Sequence, residues 1–232
     1  MQKNGAKLIL PNHQSHIDPQ IIAIECYKYS DVVPVVSERF FRIPIVKFFL
    51  RKWNAVSVSD FKAGSRDINV LKNIFSKVIV ALENGKTVII YPSGQLQETG
   101  IEKIKNKQAA YTIVSDMPEE TTVLGLRIRG LWGSTFSTAW NGSKPPFLKV
   151  FLIGIFYFFA NLIFLVPKRT VTLDFVDITE EAKLHSKNDR ATFNKFLEEF
   201  YNFDGLQQPY YVKHFFFLPK SKRKPPKNLV PQ

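Results

Sequence analysis

Apolar and polar positions along this chain fall into blocks, and the blocks differ in period. KLIL, residues 7 to 10, is a short strand-like run that ends at Pro11. Asp18-Pro19 then predicts a helix start, with Asp at the cap and Pro at the first helical position. The helix body, QIIAIECYKY, puts Ile21, Ile22, Ile24 and Tyr27 on an apolar stripe. Val32–Val36 predicts a strand. Residues 39–53 predict one helix with Pro44 in its first turn; their apolar residues nearly ring it, which suits contact with a membrane or a partner. A strand over Ala55–Val58 and an amphipathic helix over Asp67–Asn84 follow, the helix closed by Gly85. Thr87–Tyr91 is a continuous apolar strand turned by Pro92-Ser93-Gly94. Lys103–Ser115 has helical spacing, and Val123–Ile128 is a further strand. This alternation predicts an α/β fold: a central, mostly parallel sheet flanked by helices. No internal repeat interrupts it.

The second half changes character. Phe147–Val166 is the most hydrophobic stretch, and residues 150–166 carry no charge. At about 1.5 Å per residue, this is at the lower limit for spanning a bilayer. TVTLDFV, from residue 170, reads as another strand, and a strand needs its sheet. A full crossing would leave it on the far side of the membrane. The expectation is a hydrophobic insertion, 147–166, formed as a helix or helical hairpin that dips into one leaflet or as a core helix, with Lys168 and Arg169 near the phosphate level. DRATFNKFLEEFY, from 189, is amphipathic with Asp at its start. The division expected is one domain over 1–205, with the insertion at 147–166, and a basic, proline-rich tail or linker over 206–232.

Composition narrows the function classes. Apolar residues make up 45% of the 232, which excludes wholesale disorder. The formal net charge of +12 attracts polyanions or an anionic surface. Twenty-one Phe residues beside that charge favour a lipid interface. Nucleic acid is the competing partner, and no recognition motif supports it. Cys26 is the single cysteine, so an intrachain disulfide is excluded and a reducing compartment is the expectation. No zinc-type Cys/His spacing is present. MQKNGAKLIL runs directly into PNH, without the pattern of a secretory signal.

PNHQSHIDP, residues 11 to 19, holds two of the four histidines and one aspartate. Imidazole is the side chain suited to take a proton near neutral pH. A carboxylate on its other nitrogen fixes the tautomer and stabilises the imidazolium. His13 and Asp18 supply those groups, but five residues apart on one helix they would diverge by about 140°. They meet only if the intervening residues bend back, as in a strand-to-helix turn at the end of a sheet strand. On spacing alone two readings stand: a site of proton transfer, or a helix cap with two loop histidines. One carboxylate can also do both, capping the helix with one oxygen and orienting His13 with the other.

Asn12, His13 and Asp18, with SVSDFKAGSRD (57–67), VIIYPSGQLQETG (88–100) and VLGLRIRG (123–130) following in order, resemble the four signatures of the glycerolipid acyltransferases, the lysophosphatidic acid acyltransferase-like family. The resemblance covers roughly residues 5 to 205. YPSGQL, GLWGSTFS and FLEEFYN look most like the acyltransferase segment of bacterial fusions with an acyl-activating enzyme. The resemblance implies a fatty acyl transfer from an acyl thioester, coenzyme A or acyl carrier protein, to a free hydroxyl of a glycerolipid or lysophospholipid. It implies His13 as general base and Asp18 as its orienting partner, with no covalent enzyme intermediate, cofactor or metal. It places Asn12, Ser93, Gly94, Gln95, Arg66, Arg127 and Arg129 near the substrates. It implies a phospholipid membrane surface as partner, an acyl-activating enzyme as a further candidate, and the cytoplasmic face of the bacterial inner membrane.

The sequence departs from the family pattern in two places. The third signature usually carries Glu after Pro and Arg after Gly, where Ser93, Gly94, Gln95 and Leu96 stand here. Asp60 stands near the usual second-signature Arg, with Arg66 six residues on. Bidentate arginines matter most for a phosphate dianion. Their absence points to a lysophospholipid with a phosphodiester head group. Arg127 and Arg129 are two apart on a strand, so they share one face and need an anion or solvent there. A competing expectation is a catalytically decayed lipid- or membrane-binding module of the same fold.

Overall fold

The computed structural model describes residues 5–52, 55–58, 68–219, 223–226 and 229. Among them, six strands form one sheet: β1 (Lys7–Pro11), β2 (Val32–Ser37), β3 (Val56–Val58), β4 (Thr87–Ile89), β5 (Thr122–Arg129) and β6 (Thr172–Asp177). Their spatial order is β3-β2-β4-β1-β5-β6. Five run parallel, and β6 joins β5 antiparallel at the edge, with Leu126 opposite Phe175. β1 is central and all five of its residues are buried. The chain leaves β1 toward β2, whereas it leaves β5 toward β6. Adjacent β1 and β5 therefore part company at their carboxyl ends, and in open α/β sheets that is where a crevice forms.

The sheet separates two cores by strand alternation. Leu8, Leu10, Val33, Val88, Ile90 and Val123 face one side. There they meet α4 (Ile68–Glu83), α5 (Ala109–Asp116), α7 (Thr179–Ser186) and α8 (Arg190–Tyr201) through residues such as Val78, Ile113, Ala182 and Phe193. Each such fully buried aliphatic or aromatic side chain contributes about 1.5–3 kcal/mol. Helix α8 sits close because Gly125 has no side chain: a Cβ there would lie 2.6 Å from the Phe200 ring. Ile9, Val32, Ile89, Leu124, Leu126 and Ile128 face the other side, against α1 (Asp18–Cys26).

Several boundaries differ from the expectations. Helix α1 stops at Cys26 and buries Ile22, Ala23 and Cys26, while Ile24 and Tyr27 point outward. The stripe is one position off, because α1 packs on the sheet by its small residues. The single helix expected over 39–53 is two, α2 (Glu38–Phe41) and α3 (Pro44–Lys52); a proline supplies no N–H to continue α2. Helix α5 begins at Ala109, and 102–108 run as loop, for a reason given below. Helix α7 was not foreseen; its polar sequence buries only Ala182. Of the second signature, residues 59–67, including Asp60 and Arg66, lie outside the described residues.

Helix α6 (Phe147–Ala160) has no buried residue at all. Fourteen residues make about 21 Å, short of the roughly 30 Å hydrocarbon core. Among the described residues no helix is long and apolar enough to cross a membrane. The chain turns back after α6, with Leu162 and Ile163 at φ +51° and +63°. Asn161 fastens this reversal: its amide donates to the Tyr157 and His214 carbonyls and accepts from the Phe216 N–H. The chain then enters β6 on the same sheet, as the strand argument required. Arg169 is not free for phosphates, because its guanidinium donates to the Gly130, Gly133 and Tyr210 carbonyls. Residues beyond 205 pack back on the fold: Gln207 N–H donates to Gly100, Tyr210 N–H to Trp132, and Arg223 lies 4.0 Å from the Trp140 ring.

Candidate active site

The turn between β1 and α1 bends as the His13–Asp18 spacing demanded. His13 Nδ1 lies 3.1 Å from Asp18 Oδ2. The same oxygen accepts the Gln14 N–H at 2.7 Å and the Ser15 N–H at 3.0 Å. One carboxylate oxygen thus ties down three consecutive residues. The expectation that Asp18 caps the helix is not met: the cap position is Ile17, with no side-chain hydrogen bond. Asp18 faces backward into the turn instead, and Oδ1 is buried without a partner. Burial is the largest influence on Asp18 and pushes its pKa up, against the opposing pull of His13 and the two N–H groups.

His13 is half-buried. With Nδ1–H given to the carboxylate, Nε2 is the nitrogen left to accept a proton. The Tyr91 ring packs on the imidazole at 4.1 Å between centroids and fixes its plane. Both main-chain groups of His13 are held by the segment after β4. Its N–H donates to Glu102 Oε2 at 3.1 Å, and its carbonyl accepts the Gln97 N–H at 2.7 Å.

The other polar residues of the turn face β5 and its following loop. Asn12 is 2% exposed, and its amide exchanges two hydrogen bonds with the main chain of Ile128. It therefore extends the β1–β5 ladder by one rung. Gln14 Oε1 accepts the N–H groups of Leu131 and Trp132, both at 3.1 Å. His16 stands apart from this network. Its ring contacts Phe40 and Phe147, so the first residue of α6 lies directly beside the turn.

The remaining sequence candidates divide. Ser93 is buried, and its hydroxyl donates to the Gln95 carbonyl at 3.0 Å. Gly94 takes φ +60° in the turn that returns its N–H to Tyr91, a conformation that suits glycine. Gln95 is half-buried and contacts Lys144. Arg127 and Arg129 share a strand face as expected, and the anions they meet are the protein's own. Arg127 pairs with Asp174 at 2.7 Å beneath Phe203, and Arg129 pairs with Asp204. Cys26 is fully buried, and burial pushes its thiol up to about 12. Among the described residues no cluster of His, Cys, Asp or Glu could hold a metal ion.

Sequence reasoning missed Glu102, Gln97, Gln14 and Tyr91. Glu102 is 2% exposed, with its pKa pushed by burial up to about 7. The one signal in the sequence is that Glu102 and Lys103 stand between Ile101 and Ile104. A family model described as Acyltransferase matches residues 1–129, more than half of the chain. No curated protein matches the chain.

Proposed function

The chain belongs to the acyltransferase family, and we propose that it moves a fatty acyl group from an acyl thioester to the free hydroxyl of a glycerolipid or lysophospholipid, with His13 as general base. Nε2 takes the hydroxyl proton as the oxygen attacks the thioester carbonyl. The tetrahedral intermediate expels the thiolate, and the imidazolium returns the proton to it. Asp18 holds Nδ1–H throughout and stabilises the imidazolium. The observation that carries this reading is the 3.1 Å contact between His13 Nδ1 and a carboxylate immobilised by two further N–H groups. The buried, high-pKa Cys26 fits direct attack without a covalent enzyme intermediate.

The acceptor in this reading is a lysophospholipid with a phosphodiester head group. The turn after β4 is neutral at Ser93, Gly94 and Gln95, and Arg127 and Arg129 are each committed to a carboxylate. The membrane surface belongs to the same proposal. α6 offers Leu148, Phe151, Leu152, Phe156 and Phe159 outward, Lys149 and Lys168 are exposed, and Phe147 touches His16 in the catalytic turn. An apolar face bordered by cations suits one leaflet of an anionic membrane, such as the cytoplasmic face of a bacterial inner membrane. Coenzyme A or acyl carrier protein would carry the acyl group, with an acyl-activating enzyme as its supplier.

The test is purified protein with one acyl-coenzyme A and a panel of lysophospholipids, read by mass spectrometry. Lysophosphatidylethanolamine should be acylated faster than lysophosphatidate, and the reverse order would refute the acceptor assignment. A decayed lipid-binding module would bind vesicles and acylate nothing.

A further inference from the structure

Glu102 belongs to none of the signature motifs and takes no part in the proton transfer just described. Its surroundings nonetheless converge on His13. The carboxyl is buried and has no Lys or Arg partner among the described residues. Burying an acidic group without a cationic partner costs stability, which its hydrogen bonds offset only in part. Its Oε2 accepts the His13 N–H at 3.1 Å.

The main chain at Glu102 is itself clamped. Its N–H donates to Asn202 Oδ1, and its carbonyl accepts from Asn202 Nδ2, both at 2.8 Å. One helical turn back, Glu198 accepts the N–H groups of Ile104 and Lys105. One turn further, Asn194 donates to the carbonyls of Lys105 and Lys107. Residues 194, 198 and 202 are four apart and so form one stripe on α8. That stripe satisfies the backbone of 102–107 as a helix would have done, and this is why the segment is loop rather than the start of α5.

We infer that Glu102 is a positioning residue for the acyl transfer: α8 fixes it through Asn202, and it fixes the catalytic turn through the His13 main-chain N–H. The inference rests on His13 being the base. The groups facing Glu102 are His13 and Asp18 from the turn, Tyr91 and Ser93 from the segment after β4, and Tyr201 and Asn202 from α8. The imidazole is aimed by Asp18 and Tyr91, but both act on a ring whose backbone is held by Glu102 and Gln97. Releasing one of these two holds shifts the ring relative to a bound hydroxyl, and a displacement of about 1 Å costs about 10²-fold in rate.

The test compares wild type, H13A, E102A, E102Q and N202A as full chains, with oleoyl-coenzyme A and lysophosphatidylethanolamine in mixed micelles. E102A should lower kcat by about 10²-fold and leave both KM values within about twofold. E102Q keeps an acceptor for the His13 N–H and should recover at least about tenfold of that loss. N202A reaches the same loop from α8 and should lose about tenfold, which keeps the inference open to test if E102A does not fold. In histidine-labelled protein, E102A and N202A should also shift the His13 ring nitrogens and leave those of His185 in place, with or without turnover. A folded E102A with wild-type kcat, a loss confined to KM, an E102Q no better than E102A, or unmoved His13 resonances would each overturn the inference. An active H13A would instead overturn the assignment of the base.

Discussion

The turn between β1 and α1 and helix α6 break the usual rule of burial in opposite directions. In the turn, polar side chains are inside: Asn12, Gln14, Ser15 and Asp18 are all at most 2% exposed. In α6, apolar side chains are outside, and not one residue of fourteen is buried. The first arrangement is stable because nearly every buried polar group finds a partner. The second is held by the helix's own hydrogen bonds, the fastening at Asn161, and ring contacts of Phe147 and Tyr157 at its two ends. The two regions meet where His16 touches Phe147. Under the proposed function the contrast separates two jobs: the turn holds His13 still, and α6 presents its outward apolar side chains to a membrane. Substitutions in the two regions should therefore fail in different assays.

The largest effect belongs to the base. H13A should lower acyl transfer by about 10²–10⁴-fold, with vesicle binding unchanged. If binding and turnover fall together, the two regions do not divide the work as stated. D18N comes next, on the order of 10²–10³-fold. The amide keeps one oxygen for the His13, Gln14 and Ser15 N–H groups but loses the negative charge that stabilises the imidazolium. Here the circular dichroism spectrum should stay native while kcat falls, since α1 does not depend on Asp18 as a cap.

These expectations show which features the sequence carries. The alternation of strands and helices was legible, because strand and helix periods differ and Pro and Gly mark the joints. The His13–Asp18 contact was legible too, once a strand before it and Asp-Pro after it required a turn. The direction of Asp18 was not, because a first-turn aspartate looks the same whether it caps forward or ties backward. Glu102 was illegible for a different reason. Its partners, His13 and Asn202, lie 89 and 100 positions away. Helical spacing over Lys103–Ser115 also disguised a loop whose hydrogen bonds come from α8. The anions for Arg127 and Arg129 were likewise remote: Asp174 and Asp204 come from elements that no local pattern links to β5.

Buried acids leave a mark on stability as well as on rate. Glu102 has a folded pKa of about 7 against 4.5 when exposed. The folded state therefore binds the proton more tightly than the unfolded one. Its stabilising effect is complete below about pH 4.5 and is lost as pH rises through 7, on the order of 3 kcal/mol in all. Asp18 is raised as well and works in the same sense. Wild type should lose stability between pH 5 and 8, measured by urea midpoints, and E102Q should flatten most of that slope. An equal slope in both proteins would mean that the turn does not hold Glu102 in the buried state described.

The smallest expected effect lies on the other side of the comparison and isolates it. Phe164 follows α6 at the turn of the chain and is 90% exposed, so it packs on almost nothing within the protein. F164S should leave the thermal midpoint where it is, because little apolar burial is lost on folding. If the α6 face enters a leaflet, the same ring is buried there, at about 1.5 kcal/mol or more. That predicts roughly tenfold weaker partition into anionic vesicles, read by sedimentation, with activity on a short-chain, monomeric lysophospholipid nearly unchanged. A substitution in the turn cannot reproduce this pattern, since its side chains are buried in both states. If F164S binds vesicles as wild type does, the apolar face of α6 meets something other than lipid at that end, and the division between a polar core that reacts and an apolar face that docks has to be redrawn.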